Sequence, residues 1–121
     1  MPLVTIEGVD PNKLGVMPSD VDTTLANFKK FLREEVAANK ALAVGPEDVA
    51  VTIVQEYAVE NDVIIKIYCA RRPERTKEVL DKVANSAVKA FNLSFPAFTR
   101  ISAYTIPLEE DQGSAEYVKG K

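Results

Sequence analysis

Histidine is absent from this 121-residue chain, and cysteine occurs once. The first absence removes the commonest general base and the usual ligand of catalytic zinc. Ser-His-Asp and Cys-His machinery therefore cannot be assembled from this chain alone. The second absence excludes an internal disulfide. Cys69 follows Ile67 and Tyr68 in an apolar run and reads as a small hydrophobic core residue. There is no Lys/Arg block, and the net charge is −3. That balance argues against a nucleic-acid footprint and against attraction to an anionic membrane surface. No apolar run is long enough to span a bilayer and no basic-then-apolar leader opens the sequence, so a cytoplasmic location is the expectation.

Composition is that of an ordinary globular protein, with 46% hydrophobic and 27% charged residues, and the length suits one domain over residues 1–121. Residues 2–7, PLVTIE, alternate as a strand, with Leu3, Thr5 and Glu7 on one side and Val4 and Ile6 on the other. Gly8 to Pro18 holds two glycines and two prolines and reads as a loop. Ser19, with Asp22 three residues later, predicts a capped helix start. Val21, Leu25, Phe28, Leu32 and Val36 then trace one apolar stripe to about Lys40, while Lys29, Lys30, Arg33, Glu34 and Glu35 form a solvated face.

Gly45-Pro46 breaks the chain, and Val49 to Tyr57 is a β-branched run that predicts a second strand. Glu60-Asn61-Asp62 reads as a turn. Val63 to Ala70, VIIKIYCA, is nearly continuously apolar and predicts a strand buried on both faces. Arg71-Arg72-Pro73-Glu74-Arg75 is a basic loop. A second helix is expected from Thr76 to about Asn92, with Val79, Leu80, Val83, Ala84, Ala87, Val88 and Phe91 inward. Leu93 to Ala97 is read as a connector, Thr99 to Ile106 as the last strand, stopped by Pro107, and 107–121 as a polar tail.

The order is β-α-β over 2–57 and β-α-β over 63–106, a weak repeat of pattern. The predicted fold is α+β: a four-stranded mixed sheet with both helices on one face, the strands within each half parallel. Its other face would carry uncovered Val, Ile and Tyr side chains, which predicts cover by other subunits.

Three features carry chemistry. Removal of Met1 before the small residue Pro2 would leave a secondary amine at the head of a strand. Ordinary α-amino groups have a pKa of roughly 7.7–8.0, and nearby cations or apolar walls lower it. In its neutral form such an amine can take a proton from carbon next to a carbonyl. Arg71, Arg72 and Arg75 stand where a buried strand meets a helix. They are either surface charge or a carboxylate anchor that also biases a nearby amine toward neutrality. Tyr104 on the last strand and Glu116 in the tail are either core and solvated residues or further reactive groups.

Met-Pro before a short strand, the two β-α-β units, and the stretch RRPERTKEVLDKVANSAVKAFNLSFPAFTRISAYTIP together resemble the tautomerase superfamily. Its members include 4-oxalocrotonate tautomerase, macrophage migration inhibitory factor, malonate semialdehyde decarboxylase and cis-3-chloroacrylic acid dehalogenase, and the likeness is nearest the longer members. The resemblance implies Pro2 as general acid/base, Arg71, Arg72 and Arg75 as anchors for a substrate carboxylate, Tyr104 as a strand tyrosine and Glu116 as a water-activating group. It further implies a homotrimer, a small keto or unsaturated carboxylic acid as substrate, and no metal or organic cofactor. Tautomerisation is the least demanding reaction, with hydration, dehalogenation or decarboxylation as relatives. The chain departs from the short members in having Lys13 and no arginine before the first helix, and from the dehalogenase in having no histidine. The rival reading is a ferredoxin-like oligomeric binding module without catalysis, because fold alone does not fix function.

Overall fold

The computed structural model describes residues 2–55 and 62–108. Four strands, β1 (Leu3–Val9), β2 (Ala50–Gln55), β3 (Asp62–Ala70) and β4 (Arg100–Leu108), form one sheet in the order β2-β1-β3-β4. β1 runs parallel to β2, and β3 runs parallel to β4. The two halves join through the central antiparallel pair β1–β3, with Leu3 opposite Tyr68 and Ile6 opposite Ile65. Two helices, α1 (Val21–Ala37) and α2 (Lys77–Ser94), connect the parallel strands and cover one face of the sheet. This is the α+β architecture that the pattern predicts.

Strand alternation sorts the residues. Val4 and Ile6 of β1 and Val63, Ile65, Ile67 and Cys69 of β3 are buried beneath the helices, together with Val51 of β2. Ile101 and Ala103 of β4 pack against the same core. The helices close it with Leu25, Phe28, Leu32 and Val36 from α1 and Val83, Ala87, Ala90 and Phe91 from α2. Phe28, Phe91 and Phe95 form a ring cluster with centroids 5.1–5.6 Å apart, and Phe98 adds to it 5.1 Å from Phe91. Such edge and tilted contacts add to the gain from burying the ring area.

Several local expectations need correction. α1 does not start on a serine cap. A 3-10 turn at Pro18–Asp20 leads straight into it, and the first free N–H groups bond to main-chain carbonyls of that turn, Val21 to Pro18 and Asp20 to Met17 at 2.8 Å. α2 is capped by Thr76, whose hydroxyl accepts from the Val79 N–H at 3.3 Å, and it runs on to Ser94. β1 extends through Gly8 to Val9 because Gly8 takes φ +84°, open to glycine, where the pairing with β2 shifts register. Pro107 does not end the last strand. Leu108 turns its carbonyl to the Arg71 N–H at 3.1 Å, so Pro107, one residue earlier, directs its missing donor to the free edge. β3 is buried on the helix side only: Ile64, Lys66, Tyr68 and Ala70 are half-exposed on the open face of the single chain. Of the expected Glu60-Asn61-Asp62 turn, Glu60 and Asn61 lie outside the described residues, while Asp62 opens β3. No helix among the described residues is long and apolar enough to cross a membrane.

The core account predicts a sharp contrast between two neighbours on α2. Phe91→Ala should cost about 3–5 kcal/mol. Leu93→Ala, at a side chain 77% exposed, should stay within about 0.5 kcal/mol. Urea unfolding monitored by circular dichroism measures both, and similar losses would contradict the placement of the core.

Candidate active site

The sheet has one end at which β1 and β2 begin and β3 and β4 finish. Pro2 enters β1 there, and its carbonyl accepts the Ala50 N–H at 3.0 Å. Its ring is fully buried. By alternation it lies on the helix side with Val4 and Ile6. The antiparallel register that sets Leu3 opposite Tyr68 carries Pro2 to the level of Cys69, whose side chain is also buried on that side.

Arg75 folds back onto this end from the loop between β3 and α2. It is 7% exposed, one of two charged or polar side chains buried to that degree among the described residues. Its Nη1 donates to the Ala70 carbonyl at 2.8 Å and its Nη2 to the Leu42 carbonyl at 3.1 Å, while its Nε has no hydrogen-bond partner among the described residues. The Leu42 carbonyl belongs to the connection between α1 and β2. The next residue, Ala43, holds φ +55°, a left-handed conformation unusual for a residue with a Cβ. Arg75 thus ties the end of the second half's first strand to the crossover of the first half. Its own N–H bonds to the Arg72 carbonyl at 3.0 Å, closing the loop tightly.

Arg71 and Arg72 are exposed in the same loop. Arg33 of α1, assigned by sequence to a solvated face, is instead half-buried, and its Nε donates to the Val49 carbonyl at 3.1 Å, just ahead of β2. Its place on the polar side of the helical stripe gives no signal of this, because the contact depends on how the crossover returns to the sheet. Guanidinium groups from α1 and from the β3–α2 loop therefore gather where β1 starts.

The remaining predicted residues do not all join this group. Tyr104 is 57% exposed on the open face, in a row with Lys66 and Thr5. It stands two residues along β4 from Ile106, whose partner Tyr68 faces Leu3, and on the opposite side of the sheet from the Pro2 ring. Within one chain Pro2 and Tyr104 are not brought together. Glu116 lies outside the described residues. Lys66 meets Glu7 at 3.4 Å on the open face, an exposed pair worth about 0–1 kcal/mol. Among the described residues no cluster of three His, Cys, Asp or Glu side chains could hold a metal ion.

Two cavities among the described residues lie away from this chemistry. One of about 300 Å³ opens at the far end of the sheet and is lined by Pro11, Asn12, Val21, Asp22 and Gln55. Another, of about 370 Å³, lies over Phe28, Phe31 and Phe95 between the helices. Neither is lined by a predicted site residue. The first carries polar side chains, Asn12, Asp22 and Gln55, but the buried charged group and the head of β1 meet at the opposite end of the sheet.

Burial pushes the Cys69 thiol above its ordinary range, with Arg75 and the amino terminus pulling partly back. Cys69 thus keeps its proton to higher pH in the folded chain than in the unfolded one. The stability this difference contributes is complete below the unfolded thiol's pKa, about 8.5. It falls as pH rises from there toward the folded value, because only the unfolded thiol ionises. Urea midpoints from pH 7 to 10 should show a steeper alkaline decline for wild type than for Cys69→Ala. Parallel curves would contradict the burial assignment.

No family model matches this chain, and no curated protein matches it. Solved structures do. A macrophage migration inhibitory factor-like protein from Entamoeba histolytica superposes with a TM-score of 0.61 at 10% identity, over 96% of each chain. A fused 4-OT protein, solved as a symmetric trimer, gives 0.61 at 14% identity, over 96% of this chain and 94% of that one. Malonate semialdehyde decarboxylase, described with decarboxylase and hydratase activities, gives 0.54 at 12% identity over 98% and 92%. These neighbours are tautomerase superfamily proteins, and at such identities the likeness establishes a shared fold.

Proposed function

We propose that this chain is a cofactor-independent enzyme of the tautomerase type, in which Pro2, freed by loss of Met1, shuttles a proton on a small keto or unsaturated carboxylic acid. The observation that carries this reading is the place of Pro2: at the head of β1, level with the buried Cys69, at the end of the sheet where Arg75 and Arg33 are bonded and the loop bearing Arg71 and Arg72 begins. An amine there is disfavoured in its charged form by apolar walls and by cations together. Its neutral form is a base suited to abstracting a proton α to a carbonyl, and its conjugate acid returns the proton at another carbon.

Arg71 and Arg72, exposed beside this end, are the groups to receive the substrate carboxylate and to polarise its carbonyl as charge develops. A homotrimer is part of the reading for two reasons. It would cover the open sheet face, which carries Leu3, Ile64, Tyr68, Ile106 and Leu108. It would also let Tyr104 of one subunit serve the Pro2 end of another. Trimers are described for the fused 4-OT neighbours. Glu116 is the candidate to activate water should the reaction be a hydration, dehalogenation or decarboxylation, and a cytoplasmic setting suits a chain without a disulfide.

Turnover of phenylenolpyruvate and of 2-hydroxymuconate tests the proposal in protein whose mass confirms loss of Met1. Pro2→Ala should lower kcat/KM by about 10²–10⁴-fold. Unchanged turnover would refute proton transfer by the proline.

A further inference from the structure

Where α1 finishes and α2 starts, a hollow of about 150 Å³ opens between the two halves of the chain. Asn39, Lys40 and Ala41 of the crossover after α1 line one side, and Val79 and Lys82 of α2 line the other. Hydrogen bonds fix the frame that carries them. The Asn39 Nδ2 donates to the Glu35 and Val36 carbonyls at 3.2 and 3.1 Å, closing the end of α1, and reaches the Ser86 Oγ at 3.4 Å. The Ser86 hydroxyl in turn donates to the Lys82 carbonyl at 2.8 Å. One side-chain amide therefore holds the end of α1 against α2, beside the two residues from which the lysine side chains spring.

Lys40 and Lys82 line the same hollow, and among the described residues neither forms an ion pair. Other lysines do: Lys77 pairs with Asp81 at 2.8 Å and Lys66 with Glu7 at 3.4 Å. Glu78 stands one helical turn before Lys82, the spacing that favours a pair, yet it does not neutralise Lys82. Two uncompensated cations at one small concavity raise the local potential and draw an anion. Ammonium groups are compact point charges with three donors each, which suits a tetrahedral oxyanion, whereas the planar fork that grips carboxylates is missing from the lining. The hollow is smaller than the roughly 300–1,000 Å³ of sites for drug-sized ligands, so it admits a single group. Glu78 and Asp81 stand exposed on the same turn of α2, and the chain carries a net charge of −3. An extended polyanion would meet these carboxylates, and one small anion would not.

We propose that this hollow binds the phosphate group of a soluble small molecule, inorganic phosphate or a phosphate monoester, between Lys40 and Lys82. Neither Pro2 nor the loop arginines take part, so the proposal stands apart from the reaction. Lys40 opens the Lys40–Leu42 turn, whose Leu42 carbonyl accepts Arg75 Nη2 at 3.1 Å. A phosphate bridging the two lysines adds a second tie across that crossover, and occupancy stabilises the fold.

The test is thermal unfolding of the full chain at about pH 8, where phosphate is a dianion, in rising inorganic phosphate with chloride holding ionic strength constant. Wild-type Tm should rise saturably, with half-saturation on the order of 1 mM. Lys40→Gln and Lys82→Gln should each weaken binding about tenfold, and Lys82→Arg should retain it. The double variant Lys30→Gln/Lys89→Gln, which removes two exposed charges elsewhere on the helices, should leave it unchanged. Amide NMR shifts on adding phosphate should centre on Asn39, Ala41 and Val79. Phenyl phosphate then separates the two sources: tighter binding than phosphate assigns a monoester, weaker binding assigns the free ion, and either upholds the site.

A wild-type Tm that phosphate moves no more than chloride does overturns the proposal without any variant. Equal weakening in Lys30→Gln/Lys89→Gln overturns it by making the response one of net charge. Shifts confined to residues 71–75 overturn it by placing the anion on the arginine loop. Retention on vesicles containing phosphatidic acid, with no response to soluble phosphate, overturns it in favour of a membrane contact.

Discussion

A charged side chain buried without a carboxylate partner is an expensive element, and Arg75 is one. Removing a guanidinium from water costs several kcal/mol unless fixed dipoles replace the lost solvation. Here the Ala70 and Leu42 carbonyls do so at 2.8 and 3.1 Å. The second of these bonds lies beside an unusual stretch of backbone, the end of the Lys40–Leu42 3-10 turn. Ala43 adopts a left-handed conformation that costs roughly 1–2 kcal/mol in a residue with a Cβ. The reversal it makes comes directly after the carbonyl that meets Arg75. The tie spans the two β-α-β halves at the end where β1 begins.

The sheet divides the molecule by face. Alternation along β1 and β3 sends Pro2, Val4, Ile6, Ile67 and Cys69 under the helices. It leaves Leu3, Thr5, Lys66 and Tyr68 on the open side, where Tyr104 also stands. Groups at the head of β1 are therefore dry and electropositive, while the open face mixes apolar side chains with the Lys66–Glu7 pair. An amine on the first side and a tyrosine on the second can cooperate only between subunits, so a part for Tyr104 in the proposed chemistry requires the proposed trimer.

Much of the fold was legible because hydrophobic period reports local geometry directly. The stripe from Val21 to Val36, the alternation from Leu3 to Glu7 and the β-branched run at Val63 each found their element. What escaped was set by contacts distant in sequence. The serine at position 19 looked like a cap, yet a preceding 3-10 turn already satisfied the N–H groups. Pro107 looked like a stop, yet an edge strand tolerates a missing outward donor. The continuous apolar run in β3 predicted burial on both sides, and the single chain covers one. At the candidate site, Arg75 could be picked out as chemistry, but its two main-chain partners could not. They depend on a crossover 33 residues away at Leu42. Arg33 gave no signal at all.

The central claim is that Arg75 is a fixed, main-chain-bonded cation rather than a mobile loop arginine. Nitrogen-detected NMR of ¹⁵N-arginine-labelled protein reads this directly. The account predicts distinct, slowly exchanging Nη resonances for Arg75, with couplings across the hydrogen bonds to the carbonyl carbons of Ala70 and Leu42. One averaged, rapidly exchanging signal, like that of a solvent-exposed arginine, would contradict it.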